Sequence, residues 1–324
     1  MKELLSLLAI ASLASGMQYN GLRVKFGWSD ALANKEYFHK IPRTLVQAES
    51  EGWRRTERPK GPLEELRLYC SPGKYVCPLY DPSGFVAGIQ LAFPADELVT
   101  PTFKPEKWFK KWTVPASDGE PAKDYMTITQ YFVSEESLAA GAGPQMENGA
   151  TLQDGGVWVN DPDGQLMRIP STEAELNTTL FKKQNCVPNM GTHYYYNMSR
   201  DTLCENILPW FAITTKGYLV GVGLQFFGKL TESPKEKEWF ELFEGRMIAE
   251  STIPLAPECL YRSADTYPVF GLHIYYIDDP WNIKCRAGDS IKTADLMSRL
   301  MINLDRYSTS LMDNVKKIFI VNKT

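Results

Sequence analysis

The feature that most constrains this chain is self-similarity at long period, because a fold available to one half must then be available to the other. Five short blocks recur in the same order. Lys40 to Thr44 (KIPRT) returns as Arg168 to Thr172 (RIPST), and Leu68-Tyr69 ahead of Cys77 returns as Tyr195-Tyr196 ahead of Cys204. The longest block, Ser83 to Phe93, matches Lys216 to Phe226; Glu106 to Phe109 matches Lys237 to Phe240, and Ile128 to Val133 matches Leu272 to Ile277. The offset between matching blocks runs from 127 to 144 residues, as loop insertions in two diverged copies would leave it. The expected organisation is a leader over 1–16, a first module over 17–150, a second over 151–289 and a tail over 290–324.

Within each module the blocks predict antiparallel β structure. Gly84 and Gly217 each sit in a turn ahead of a run rich in Val, Leu, Ile and aromatics, the pattern of a strand leaving a hairpin. Val157 to Val159 and Leu166 to Ile169 flank the turn-forming sequence NDPDG and predict another hairpin. A short helix is expected over Thr44 to Ser50, with a counterpart over Ser171 to Leu180, and further helices around Trp108 and Trp239. From Ser290 to Lys317, apolar residues at Leu296, Leu300, Leu304, Tyr307, Leu311 and Val315 recur every three or four positions, predicting a long amphipathic helix. The predicted class is α+β: two duplicated antiparallel-sheet modules with short helices, closed by that C-terminal helix.

Export is the expected destination. After Met1-Lys2-Glu3 comes an apolar stretch, Leu4 to Leu13, then Ala14-Ser15-Gly16 with small residues at the positions a signal peptidase reads. Ten or so apolar residues are too few to span a bilayer, and no later window supplies a span. Sequons at Asn177, Asn197 and Asn322 are glycosylation candidates, and six cysteines form an even set: Cys70, Cys77, Cys186, Cys204, Cys259 and Cys285. None has zinc-like spacing, so disulfides are expected, and proximity in sequence suggests Cys70 with Cys77, Cys186 with Cys204 and Cys259 with Cys285. With 35 Lys+Arg against 39 Asp+Glu the formal net charge is −4, and no basic face marks a nucleic-acid binder.

Chemistry has few places to reside. There is no Gly-rich phosphate loop, no Gly-x-Ser-x-Gly turn and no His-Glu-x-x-His. Of the 3 histidines, His193 and His273 lie in aromatic strand sequences of the second module, opposite Leu66 and Thr129 in the first by block alignment. Strand alternation sets His193 with Tyr195 on one face and His273 with Tyr275 on one face. Should those faces converge, they form an aromatic pocket with two imidazoles able to move protons near neutral pH. Hydrogen-bonded structural histidines in ordinary strands are the plainer alternative. Two imidazoles and a carboxylate would also suit a metal, with Glu258, Asp265, Asp278 and Asp279 near His273 in sequence, but no spacing selects one of them. Asp161 and Asp163 resemble a calcium loop that lacks its later Glu, and a polar turn is the expectation.

The blocks Asn189 to Tyr196 (NMGTHYYY), Pro209 to Phe227 and Leu272 to Tyr275 (LHIY) resemble a pattern in secreted invertebrate proteins of unassigned activity, over about a third of the chain. In general character the chain is similar to the secreted luciferases of marine worms, an analogy of type with no shared motif. Three functions are therefore weighed. The first is a secreted oxidoreductase, of which a luciferase-type monooxygenase is one case. It would act on a small aromatic or apolar substrate with molecular oxygen as co-substrate, its cofactor left open and none being one option, using His193 and His273 as catalytic acid/base or metal-binding groups, with Tyr195, Tyr275, Trp210 and Gln225 lining the pocket. The second is a binding protein holding such a molecule without chemistry, and the third is a structural or matrix glycoprotein.

Overall fold

The computed structural model describes residues 21–27, 34–100, 104–116, 121–140, 152–153, 155–161, 163–232, 237–243 and 245–286. The expected leader, the amphipathic helix from Ser290 and the Asn322 sequon lie outside these residues. Along the first half run β1 (Arg23–Lys25), β2 (Phe38–Lys40), α1 (Leu45–Ser50), β3 (Arg54–Thr56), β4 (Arg67–Cys70), β5 (Val76–Tyr80), β6 (Val86–Pro94), β7 (Leu98–Val99), β8 (Lys110–Val114), β9 (Lys123–Tyr131) and α2 (Glu135–Ala139). The second half runs β10 (Val157–Asn160), β11 (Leu166–Ile169), α3 (Glu173–Leu176), β12 (Phe181–Val187), β13 (Gly191–Tyr196), β14 (Trp210–Thr215) and β15 (Tyr218–Phe227). It continues through β16 (Lys229–Leu230), β17 (Glu241–Phe243), α4 (Arg246–Thr252), α5 (Glu258–Thr266) and β18 (Val269–Tyr275).

The strands form two large antiparallel sheets built on one plan. The first has the order β11-β10-β9-β6-β5-β4-β3 with β8 also on β9, and the second β2-β1-β18-β15-β14-β13-β12 with β17 also on β18. In each sheet a meander of four strands is followed by a return strand, β9 or β18, whose far side is taken by a hairpin. Those hairpins do not respect the division at residue 150. The β10–β11 hairpin of the second half completes the first sheet, and the β1–β2 hairpin of the first half completes the second. Both halves then pass through a helix N-capped by a threonine, Thr44 or Thr172, whose hydroxyl accepts from the third residue on. Thr44 bridges Phe85 and Thr172 bridges Tyr218, so each helix entry is stitched to the hairpin at Gly84 or Gly217, where φ values of 87° and 89° require glycine.

Burial explains the stacking. Alternate residues of both sheets meet in one apolar core that includes Tyr80, Ile89, Phe93 and Ile128 from one side and Tyr194, Trp210, Leu224 and Ile274 from the other. Aromatic contacts cross the interface, Phe93 with Phe226 at 5.6 Å and Phe132 with Tyr276 at 5.4 Å between centroids. The Tyr276 hydroxyl, fully buried, donates to Gln130 Oε1 at 2.6 Å. The outer face of the second sheet carries its own core, with Tyr195, Phe211 and Tyr275 packed beneath Ala249 and Ile253 of α4 and its C-terminal end and Leu260 and Ala264 of α5.

Several expectations change. The hairpins about Gly84, Gly217 and NDPDG form where expected, and so does α1; α3 spans only Glu173–Leu176, stopping well short of Leu180. Trp108 follows a single 3-10 turn, Pro105–Lys107, before the chain extends into β8, and the described residues beside Trp239, 237–240, form no helix but lead straight into β17. Both tryptophans instead bury their rings in the central core. Two of the expected disulfides are also replaced: Cys70 pairs with Cys77, but Cys186 pairs with Cys285 and Cys204 with Cys259. The cause is the antiparallel layout, which sets the end of β12 beside the chain leaving β18 and brings the loop after β13 beneath α5, so near neighbours in sequence are not near in space. The first-half counterpart of His193 is Leu68, not Leu66. A β-bulge after Leu79 in β5 matches the one after Ile213 in β14, and these residues face Leu68 and His193 respectively.

Non-reducing peptide mapping should recover the pairs Cys70–Cys77, Cys186–Cys285 and Cys204–Cys259. Opening the 55-residue span of the last pair with Cys204→Ser and Cys259→Ser should cost about 4 kcal/mol in a urea unfolding series.

Candidate functional site

The second sheet presents its outer face through four neighbouring strands in register. His193 on β13 faces Ile213, Phe211 on β14 faces Gly223, and Gly223 on β15 faces His273 on β18. Gly223 matters for its missing side chain: a Cβ there would lie 2.1 Å from the Phe211 ring, so the glycine lets that ring lie flat across the sheet. Phe211 then stacks on Tyr195 at 5.0 Å and His193 at 5.4 Å and meets His273 edge-on at 5.2 Å. The two imidazoles stand 5.8 Å apart, their planes at 89°.

His273 does not stand alone. Its Nδ1 bonds Glu241 Oε2, and the other carboxylate oxygen of Glu241 takes the ammonium of Lys25, which also donates to Gly27 O at 2.7 Å. Lys25 and Glu241 are fully buried. Backbone pairing brings them there, since Lys25 on β1 sits directly opposite His273 and Glu241 on β17 opposite Gly271, two residues away. Burial works to raise the Glu241 carboxyl, but the His273 imidazole and then the Lys25 ammonium outweigh it and hold the group below its ordinary value. The carboxylate is therefore ionised and orients the ring. With Nδ1 turned to Glu241, the other ring nitrogen of His273, Nε2, is buried with no hydrogen-bond partner.

Above these groups lies a narrow, mainly apolar cavity between the sheet and α4. His193, Tyr195, Phe211, Gln225 and His273 form its floor, and Ile248, Ala249 and Ile253 its roof. The Tyr195 hydroxyl donates to Gln225 Oε1 at 2.7 Å, and burial pushes the phenol well above its usual range, so it stays a neutral donor. Burial, with His273 beside it, pushes the His193 imidazole down to about 3. His193 is thus a neutral ring at physiological pH, and its Nδ1 has no partner either.

Of the residues singled out from sequence, His193, His273, Tyr195 and Gln225 come together here. Tyr275 shares the face and stacks beside His273, but it lies under other side chains with its hydroxyl on Met190 O at 3.2 Å. Trp210 points the other way into the central core, because it alternates with Phe211 along β14, so it does not line the cavity. Of the carboxylates weighed as metal ligands, Glu258 and Asp265 face Arg246, and among the described residues no three His, Cys, Asp or Glu side chains group to hold a metal. Asn177 and Asn197 are exposed. Asp161 Oδ1 accepts from the Asp163 and Gln165 amides, closing a polar turn. Sequence reading missed Lys25 and Glu241. They alternate with the core residues Val24 and Phe240, which places both on the outer face of the sheet, where a charged residue ordinarily meets solvent.

Glu241→Leu should destabilise the protein by about 3–5 kcal/mol by leaving the Lys25 ammonium buried without its carboxylate, whereas Lys25→Met combined with Glu241→Leu should recover most of that loss in thermal unfolding. The His193 imidazole takes a proton only after unfolding between its folded value near 3 and the ordinary 6.5, so stability falls as pH drops through that window, by up to about 1.4 kcal/mol per unit. His193→Gln should flatten the slope in urea titrations run between about pH 7 and about pH 5.

Compared with protein-family models, with curated proteins and with solved structures, the chain matches none.

Proposed function

We propose that this chain is an exported enzyme in which His273 acts as a general base on a small, mainly apolar or aromatic molecule held beneath α4. The observation that carries the reading is the Glu241–His273 pair with Nε2 unpartnered at an apolar cavity. A buried carboxylate fixes the tautomer, stabilises the imidazolium as it forms and leaves one nitrogen to receive a proton, the arrangement that base catalysis requires. The Tyr195 hydroxyl and Gln225 amide supply the few polar contacts that orient a ligand. His193, held neutral by burial, has no charge to compete for the proton.

The reaction class is deprotonation followed by oxygenation. The substrate proton passes to Nε2 and its electron pair stays on the substrate as a delocalised anion. Molecular oxygen, the co-substrate, adds to that carbon, and the proton returns to the terminal oxygen, giving a hydroperoxide whose breakdown accounts for oxidation, with light in the luciferase-type case. A dry cavity favours this course because water would both solvate the anion and quench it. Three disulfides support export, as does the lack, among the described residues, of a helix long and apolar enough to cross a membrane. The cavity's narrowness favours a second reading, a carrier that closes on its ligand without reacting. The cavity counts against a purely structural glycoprotein.

The test is hydrogen–deuterium exchange at the acidic position of a panel of small aromatic enols and ketones, with oxygen uptake and photon emission followed in parallel. The wild-type chain should accelerate exchange with or without oxygen, and His273→Gln, folded by circular dichroism, should lose about 100-fold or more of that rate. Equal rates in both proteins would remove His273 as the base, and binding without exchange would establish the carrier reading.

A further inference from the structure

The shared plan of the two sheets allows the His273 site to be located in the first sheet, position by position. The matching bulges equate Gly88 with Gly221, and these face Tyr131 and Tyr275. Thr129 therefore stands where His273 stands, facing Gln90 where His273 faces Gly223. On the neighbouring strands Lys110 faces Thr127 as Glu241 faces Gly271, and Trp158 faces Tyr131 as Arg23 faces Tyr275, which sets Asn160 in the place of Lys25. The buried acid at the centre of one site is thus a lysine at the centre of the other.

This second position is also concave. A small cleft is lined by Arg58, Lys60, Gln90, Lys110, Tyr131 and Asn160, among others, with no carboxylate in the lining. Its three cations form no ion pair among the described residues. Arg58 spends part of its guanidinium on the carbonyls of Leu63 and of Pro62, the latter at 2.8 Å, which ties the 57–66 loop over the cleft and leaves donors over. Gly61 on that loop marks the focus. A Cβ built there would lie 3.7 Å from Arg58 Nη2, 3.8 Å from the Tyr131 hydroxyl and 3.9 Å from Lys110 Nζ. Its backbone is not in the left-handed region, so the position needs no glycine for conformation; the missing side chain keeps a space open where three donors meet. Gln90, 2 % exposed, adds a buried Nε2 with no partner.

We propose that this cleft binds a small oxyanion, a carboxylate or a phosphate or sulfate group, with Lys110 and Arg58 as its charge partners and Tyr131 and Gln90 as neutral donors. An unpaired cation cluster with a buried orphan donor is what such a group satisfies, by charge-assisted hydrogen bonds in a partly desolvated space. The site is independent of the reaction at His273. The two clefts share a frame and take opposite chemistry, one apolar and basic in the proton-accepting sense, the other cationic.

Isothermal titration of the full chain with inorganic phosphate, sulfate and lactate, each against chloride, tests this. At least one should bind saturably, phosphate or sulfate marking a tetrahedral preference and lactate a planar one. Lys110→Met, a change at an exposed side chain, should weaken that binding at least about tenfold, the loss of one charge-assisted bond. Gly61→Leu, which fills the focus, should abolish it, and His273→Gln should leave it unchanged. No saturable binding of any of the three anions overturns the proposal, as does an affinity that survives both Lys110→Met and Gly61→Leu in folded protein.

Discussion

A carboxylate with no exposed surface must be held ionised by its neighbours or surrender its charge, and Glu241 is held by Lys25 and His273. The three come from β18, the return strand of the second sheet, and from β1 and β17, which pair with successive stretches of its edge opposite β15. Only the antiparallel registers that set Lys25 opposite His273 and Glu241 opposite Gly271 satisfy all of them at once. A slip of one residue in either pairing would turn a charged side chain to the wrong face and leave the others unpaired. The ion cluster therefore fixes where the β1–β2 hairpin docks, and that hairpin is what closes the sheet. The same geometry leaves the Nε2 of His273 buried without a hydrogen-bond partner on a residue that lines the cavity.

Much of this was legible in the sequence, and the failures have a common physical cause. Alternation along β13 and β18 correctly set His193 beside Tyr195 and His273 beside Tyr275, because side-chain direction in a strand has period two. The same period hides an error of two residues: pairing His193 with Leu66 or with Leu68 gives the same inside–outside pattern, and only the bulge resolves it. Trp210 was misplaced for the opposite reason. It opens a strand that is buried on both faces and apolar over its first four residues, where no alternation of polarity says which side a ring will take. Lys25 and Glu241 escaped because a charge in a short strand ordinarily marks a solvent face, and the partner that permits burial lies more than two hundred residues away. The disulfides show the same limit, since proximity along the chain predicted Cys70–Cys77 across a tight hairpin and failed for the pairs that tie separate elements.

What covers each sheet decides what each outer face can do. The second sheet is roofed by the apolar sides of α4 and α5, the latter tied down by Cys204–Cys259, and the enclosed floor is aromatic. The first sheet is roofed by the 57–66 loop, whose arginine and lysine bring charge to a floor of Thr129, Gln90 and Asn160. One scaffold thus offers two chemically distinct faces, back to back across a common core.

The exchange of hairpins has a consequence for how the chain assembles. β1 and β2 precede almost everything else, yet their partner β18 lies at the far end of the described chain, so the second sheet must close through a contact that spans most of the sequence. Loop-closure entropy makes such a contact slow to form, and until it forms the β18 edge and the buried charges around it stay open to water and to other chains. The first sheet has no such delay, since β10 and β11 follow β9 directly. The two halves, so alike once folded, are therefore unequal during folding: one can mature locally, while the half that carries the imidazoles is completed by a segment made well before its partner strand.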